Sequence, residues 1–494
     1  MKLPHLLSLA LAALCVAALP AQQPAAAPAN AAPAPLAIAG AWHGEVSAPQ
    51  GAFEIGLRFA RLPDGKIEFG LHLPSMHIFD QKVGPFAGEK DGAYLIPFLD
   101  IVLKLAGDQL TGTFGKAHLP VTLARGDAFS KKPATPPDPA APAPLWEYNF
   151  GTLTFGSPIV HDGIAYIGAR DGRFHAVRTS DGTAAWTFAN GNRIDGRAVV
   201  AGDSIIFVDG KIELVCLNRA DGTLRWRTPL HDAAIAGGPA PENPTFNRRT
   251  ATPLVLAETV YVGSSDGGLY ALDLATGAKR WRFAAGAPVF TGVTPLDDGS
   301  LLFGAMDGSV VRIDTSGNEL ARLNAGGAVS TTPVVIGGLV IVGCRDYMMY
   351  AFRLSDGASA WKFSYGFSWV ESTPSVQDGV FYVGGSDWAR VSEFDPATGR
   401  PRWATAVGGM TWGTPAVTAD TVFAGVTCQK GALIEHRGGI VALDRRTGAI
   451  KWRHPMTFSG EKIPFGGIGG SIALDGDRLL AAGFDGKLIA LPAK

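Results

Sequence analysis

Residues Tyr261 to Trp281 read YVGSSDGGLYALDLATGAKRW. An apolar run (Tyr261–Gly263) meets an Asp266-Gly267 turn, a second apolar run (Leu269–Leu272) follows, Thr276-Gly277 turns the chain again, and a third run ends on Trp281. Short β-branched and aromatic runs separated by Asp-Gly and Thr-Gly pairs are the pattern of consecutive hairpin strands. Three such strands cannot bury both of their faces alone, so the segment needs neighbours of its own kind.

The neighbours are in the same chain. YIGARDGRFHAVRTSDGTAAW (Tyr166–Trp186), IVGCRDYMMYAFRLSDGASAW (Ile341–Trp361) and YVGGSDWARVSEFDPATGRPRW (Tyr382–Trp403) repeat the same order of strand, turn, strand, turn and Trp. Trp146, Trp186 and Trp226 are spaced by 40 residues. Trp281, Trp361, Trp403 and Trp452 continue the series, with Ala321 in the intermediate place and insertions at His231–Asn247 and Cys428–His436. About 40 residues per unit suit four short strands, the content of one propeller blade. The fourth strand lies upstream of each unit, in ATPLVL from Ala251, TTPVVI from Thr331, STPSVQ from Ser372 and GTPAVT from Gly413. Small residues there fit an innermost strand where blades converge. The last copy, LLAAGFDGKLIALPAK, stops before its Trp strand, while LWEYNF (Leu145–Phe150) is a Trp strand without a blade. Pairing the two ends closes an eighth blade and removes the open edge. The expected fold is all-β: an eight-bladed β-propeller over residues 145–494, with a small β-barrel-like domain before it.

That small domain spans residues 38–127, between an Ala/Pro-rich stretch at 22–37 and a Pro-rich linker at 128–144. EIGLRFARL, KIEFGLHL, AYLIPFL and PVTLAR alternate apolar and polar residues around Asp64-Gly65 and Asp91-Gly92. At the start, Met1-Lys2, an apolar run to Leu19 and the small Ala21 read as a secretory signal over residues 1–21, cleaved near Ala21. Pro4, His5 and Pro20 interrupt that run, leaving it short of the roughly 20 apolar residues that span a bilayer. Leu14 ahead of Cys15 is too large for a lipid-attachment signal. The expected location is therefore periplasmic or secreted, with no transmembrane segment and a monomer outside any complex.

The 494 residues carry 43 basic and 44 acidic side chains, a net of -1, which gives no global attraction to nucleic acid or anionic lipid. Cys216, Cys344 and Cys428 are an odd set, far apart, and read as small buried hydrophobes. His43, His72, His77 and His118 lack the spacing of a helical zinc motif. The repeated Asp-Gly pairs at Asp171, Asp266, Asp307 and Asp485 sit at one place in the repeat, without the further acids of a calcium loop, and read as hairpin turns. No metal and no catalytic residue is expected. The repeat tryptophans hold one position on the outer strand and are assigned to packing between blades.

Aromatic and charged residues that break the repeat just before the inner strands are the site candidates. They are Arg193, Asp195 and Arg197 before the second inner strand, Arg248 and Arg249 before the third, and Phe290 before the fourth. Trp369 and Glu371 precede Pro374, and Trp412 precedes Pro415. Loops from all blades converge at that level. The set forms either a rim of flat faces and paired charges for a planar anion or peptide strand, or a solvated plug of the channel end.

The repeats, with their V-G-x-x-D-G and T/S-G-x-x-x-W signatures, resemble the PQQ-like propeller repeats shared by the quinoprotein dehydrogenases and the BamB family of outer-membrane protein assembly factors. The resemblance covers residues 145–494. Gly40-Ala41-Trp42-His43-Gly44 and Leu110-Thr111-Gly112-Thr113-Phe114 look like a β-barrel module carried by some secreted hydrolases and peptidases, but no Gly-x-Ser-x-Gly follows. The quinoprotein resemblance implies PQQ between a Trp and adjacent cysteines, with calcium. The chain has no Cys-Cys pair and no CxxCH, although Trp369 or Trp412 would offer a face and Asp195 and Glu371 oxygen ligands. The expected function is a non-enzymatic envelope scaffold that binds a protein or peptide through its interblade loops, with no cofactor. The alternatives are a PQQ-dependent alcohol or sugar dehydrogenase with calcium and, ranked lower, a carbohydrate-binding propeller.

Overall fold

The computed structural model describes residues 36–47, 52–64, 66–74, 78–85, 89–96, 99–115, 118–131, 137–231, 250–366, 368–429, 436–456 and 465–494. The expected signal segment, most of the Ala/Pro-rich stretch, the two insertions for the most part, His77, and the site candidates Arg248 and Arg249 lie outside them. Contacts divide the chain into two compact units, meeting at Pro137 and Asp138.

The first unit is one antiparallel sheet of nine strands. The strand Gly40–Val46 pairs with Leu119–Arg125, so the two ends of the unit meet in the middle of the sheet. Trp42, Leu57, Phe59, Leu71, Leu103 and Leu110 are buried, and the strand Ile101–Ala106 alternates buried and exposed residues over its first four positions. The sheet curls into a half-barrel at glycines. A β-carbon on Gly44 would lie 2.0 Å from the Thr122 carbonyl oxygen, and one on Gly112 1.9 Å from that of Val102. Asp91 and Gly92 both have positive φ (54° and 71°), as the two-residue hairpin turn read from the sequence requires. Arg125 lies 4.3 Å over the Trp42 ring and donates to the carbonyls of Ala37 and Ala39. Part of the stretch read as a linker is docked: Phe129 stacks on His72 at 4.7 Å, and the Ser130 amide donates to Glu54.

In the second unit the chain builds eight small antiparallel sheets, the blades of a closed propeller. Blade 1 runs from Ile159 to Ala189, and blades 2 to 7 begin at Val199, Leu254, Thr294, Val334, Ser375 and Ala416. Blade 8 takes its three inner strands from Ala473 to Pro492 and its outer strand from Trp146–Asn149, with Trp146 opposite Ala490. The ring is closed by joining the two ends of the propeller sequence, as the unpaired Trp strand required. Asp138, just upstream, is held by Arg453 (2.7 Å) and Arg437 (2.6 Å).

The repeat tryptophans stitch each blade to the next. The Trp146 indole donates to the Thr179 carbonyl at 2.8 Å, Trp186 to Arg219 at 3.0 Å, Trp361 to Pro396 at 2.7 Å and Trp403 to Arg445 at 3.0 Å. The rings of Trp146, Trp186, Trp226, Trp281, Trp361 and Trp403 each lie against a turn glycine of the following blade. A β-carbon on Gly182 would meet Trp146 at 2.6 Å, and one on Gly399 would meet Trp361 at 2.3 Å. Those glycines also have positive φ, 74° and 65°, so two independent demands fix them. Blade 4 has Ala321 in the Trp position, and Leu323 covers Gly357 instead. The pairing of third and outer strands carries a one-residue register shift next to the Trp position, for example at Ala271/Leu272 and Ala351/Phe352, a bulge that adds twist to the outer strand. The Asp-Gly pairs are turns: Gly172, Gly267, Gly308 and Gly486 have φ of 79–94°, and the preceding aspartates accept the amides two residues on. Cys216, Cys344 and Cys428 are buried free thiols, and burial raises their pKa values.

Candidate functional site

Each inner strand is preceded by a short extended segment that approaches the propeller axis. One position of that segment forms a ring around it: Ser157, Arg197, Thr252, Gly292, Thr332, Thr373, Thr414 and Ser471. Its members bond blade to blade. Gly292 N donates to Thr332 Oγ1 (2.9 Å), Thr332 N to Thr373 Oγ1 (3.1 Å), Thr414 N to Ser471 Oγ (3.0 Å) and Ser471 N to Ser157 Oγ (2.9 Å). A hydroxyl serves here because it accepts the neighbour's amide and still has a proton to donate. Arg197 and Gly292 have no hydroxyl and interrupt the pattern.

Two residues upstream, on the same side of extended backbone, a second layer faces the same space: Phe155, Asp195, Thr250, Phe290, Ser330, Glu371, Trp412 and Gly469. Both layers line a cavity of about 410 Å³, within the roughly 300–1,000 Å³ of small-molecule pockets. Of the sequence candidates, Asp195, Arg197, Phe290, Trp369, Glu371 and Trp412 all line this cavity. Arg193 stands behind them, 3.3 Å from Asp195.

Two ion pairs stand on opposite sides of the mouth, four blades apart in the ring of eight. Arg170 donates through Nε and Nη2 to both Asp195 oxygens at 2.7 Å, a bidentate pair, and its guanidinium lies 4.5 Å over Phe155. Arg345 donates to Glu371 Oε1 at 2.7 Å and lies 4.6 Å over Trp369. The Trp412 indole donates to Ser386 Oγ at 3.1 Å, and its ring meets Phe465 edge to face. Next to Ser386, burial raises the Asp387 carboxyl to about 6, with the Glu371 charge adding to the shift. Arg197 differs from the other arginines here. It makes no ion pair among the described residues, its side chain is open to the cavity, and enclosure by the ring lowers its pKa.

Sequence reading missed Arg170, Arg345 and the ring hydroxyls. The signal was present: Gly168-Ala169-Arg170-Asp171 and Gly343-Cys344-Arg345-Asp346 put arginine where other copies have Ser265, Met306 or Phe484. The same ion pairs bear on the quinone that the resemblance implied. Asp195 and Glu371 are each taken by an arginine and stand across the ring from one another, and among the described residues no group of three His, Cys, Asp or Glu side chains is placed to hold a metal. The residues do not fit a calcium-bound quinone.

The family described as outer membrane protein assembly factor BamB matches residues 138–281, 265–368 and 351–494, which together span the propeller. The chain belongs to this family. Among curated BamB proteins, that of Burkholderia pseudomallei is 26% identical over 223 residues, covering 42% of this chain and 56% of that protein. The match thus spans a little over half of that relative. BamB of Shewanella oneidensis is 26% identical over 317 residues, covering 60% of this chain and 71% of the relative. The crystal structure of BamB from Moraxella catarrhalis superposes with a TM-score of 0.51 at 16% identity, covering 72% of this chain and 98% of that one, a likeness of fold. Among the described residues, no helix of this BamB-family chain is long and apolar enough to cross a membrane.

Proposed function

We propose that this protein is a cell-envelope binding propeller that takes part in outer-membrane protein assembly, holding a protein or peptide segment of that machinery at the mouth of its axis. The observation that carries the reading is the construction of the mouth. Its carboxylates are neutralised by arginines that are themselves stacked on aromatic rings, so the surface offers flat faces and fixed hydrogen-bonding groups. Such an arrangement suits recognition of an extended segment, where aromatic and arginine anchors dominate the energy. The family relationship supplies the setting, the outer membrane and its assembly proteins, and with it export of this chain to the envelope.

The test is affinity capture from envelopes of the native cell with the wild-type protein and with Trp369→Ala/Trp412→Ala. The expected result is co-purification of outer-membrane assembly proteins with the wild type and their loss from the double variant, with its melting temperature kept within a few degrees. Recovery of the same proteins by both forms would remove the mouth from the reading. Recovery of none, with outer-membrane protein levels normal in a deletion strain, would remove the reading itself.

A further inference from the structure

The arginine that breaks the hydroxyl ring has no ion-pair partner among the described residues, and its surroundings point to the kind of group that would complete it. Arg197 occupies a ring position where Ser157, Thr332, Thr373 and Ser471 carry hydroxyls. Asp195, the carboxylate nearest in sequence, is already engaged by Arg170 and Arg193. Around the cavity four guanidiniums (Arg170, Arg193, Arg197 and Arg345) stand with three carboxylates, the paired Asp195 and Glu371 and the nearby Asp387, and the cations gather on the Asp195 side. Open to the cavity and without an ion-pair partner among the described residues, this Arg197 guanidinium is free to take an anion that enters the cavity. The break in the ring adds donors. The hydrogen bonds of the ring run from a backbone amide to the hydroxyl of the following blade, and the positions following Ser157 and Thr252 are Arg197 and Gly292, which have no hydroxyl to accept.

We propose that this cavity is a binding site for a carboxylate attached to a flat apolar group, its head on the Arg197 fork and its body between the aromatic side chains of the layer above. One guanidinium without an ion-pair partner among the described residues matches one negative charge, and its planar fork matches a carboxylate in geometry. Phe290 and Trp412, one layer up, face the same cavity and supply apolar walls for the body of the ligand. The chemistry has two sources, a free aromatic acid or the carboxy-terminus of a peptide ending in an apolar ring. The site goes beyond the partner reading and does not depend on it: failure to capture assembly proteins leaves it standing.

The test is titration of the purified full chain, followed by tryptophan fluorescence and calorimetry, with N-acetylphenylalanine, its amide, sulfate, and a pentapeptide ending in Phe with a free or an amidated carboxy-terminus. The expected result is saturable binding of the acid, with the amide and sulfate at least tenfold weaker. Arg197→Gln should weaken the acid about 10- to 100-fold, as loss of charge-assisted hydrogen bonds does, with Arg197→Lys in between. Arg197→Lys keeps the test open if the Gln variant does not fold. Binding of the free-ended peptide as tight as that of the acid assigns the site to chain ends, and binding of the acid alone assigns it to small molecules. Equal binding of acid, amide and sulfate, no binding of either acid form up to about 10 mM, or binding unchanged in both Arg197 variants would overturn the proposal.

Discussion

The two sides of the cavity mouth are built from one device and differ in what surrounds it. At blade 2 the Arg170–Asp195 pair is bidentate, and further cations flank it: Arg193 at 3.3 Å from Asp195, and Arg197. At blade 6 Arg345 Nε donates to Glu371 Oε1 at 2.7 Å, and a second carboxylate, Asp387, lies nearby. Position in the repeat sets where an arginine and an acid meet, and the neighbours set the field they stand in. The cavity is therefore polarised, with excess positive charge on one side and excess carboxylate on the other.

Opening the ring removes the frame that both sides share. Deleting Leu145 to Phe150 strips blade 8 of its outer strand and withdraws Trp146, Tyr148 and Phe150 from the core against blade 1. The expected loss is about 5 kcal/mol or more in chemical denaturation, from three large side chains at about 1.5–3 kcal/mol each. An unchanged denaturation midpoint would mean that closure is not what holds the blades. Within the ring, Asp195→Ala leaves Arg170, Arg193 and Arg197 facing one another and should cost about 3–5 kcal/mol, as an orphaned buried charge does. Glu371→Ala leaves Arg345 still stacked on Trp369, with Asp387 nearby, and should cost less, about 2 kcal/mol. Equal losses in the two variants would contradict the asymmetry.

The Asp387 side should respond to pH. Its folded pKa of about 6 exceeds the ordinary 3.8, so between these values the folded state holds a proton that the unfolded state has released. Stability falls as pH rises from about 4 to 6, by on the order of 2 kcal/mol. Asp387→Asn should flatten that slope; a slope unchanged in the variant would place its origin elsewhere. The smallest effect is expected for Arg193→Gln, under about 1 kcal/mol, because Asp195 keeps its bidentate partner and Arg193 is about a third exposed. A larger loss would make Arg193 a full member of the pair.

The architecture was legible because a propeller repeats its local chemistry. Turn glycines, the Trp of the outer strand and the small residues of the inner strand recur at a near-constant interval, and their functions in the fold are met within a blade or between neighbours. Even the closure by Trp146–Asn149 could be read, since one Trp strand had no blade and one blade no Trp strand. The cavity was legible in part. Asp195, Arg197, Phe290, Trp369, Glu371 and Trp412 stood out as breaks in the repeat, and the structure brings them to one space. Arg170 and Arg345 escaped notice because they sit on a different turn, 25 and 26 residues before the acids they bind.

The sequence by itself determined the strands, the blade count, the closure and the level at which loops converge, because each follows from local periodicity and turn chemistry. Only the tertiary structure decided which charges meet, which carboxylates are thereby spent, and that Arg197 is left without an ion-pair partner among the described residues. Those outcomes depend on angstrom-scale distances between side chains of different blades, and no repeat spacing carries them.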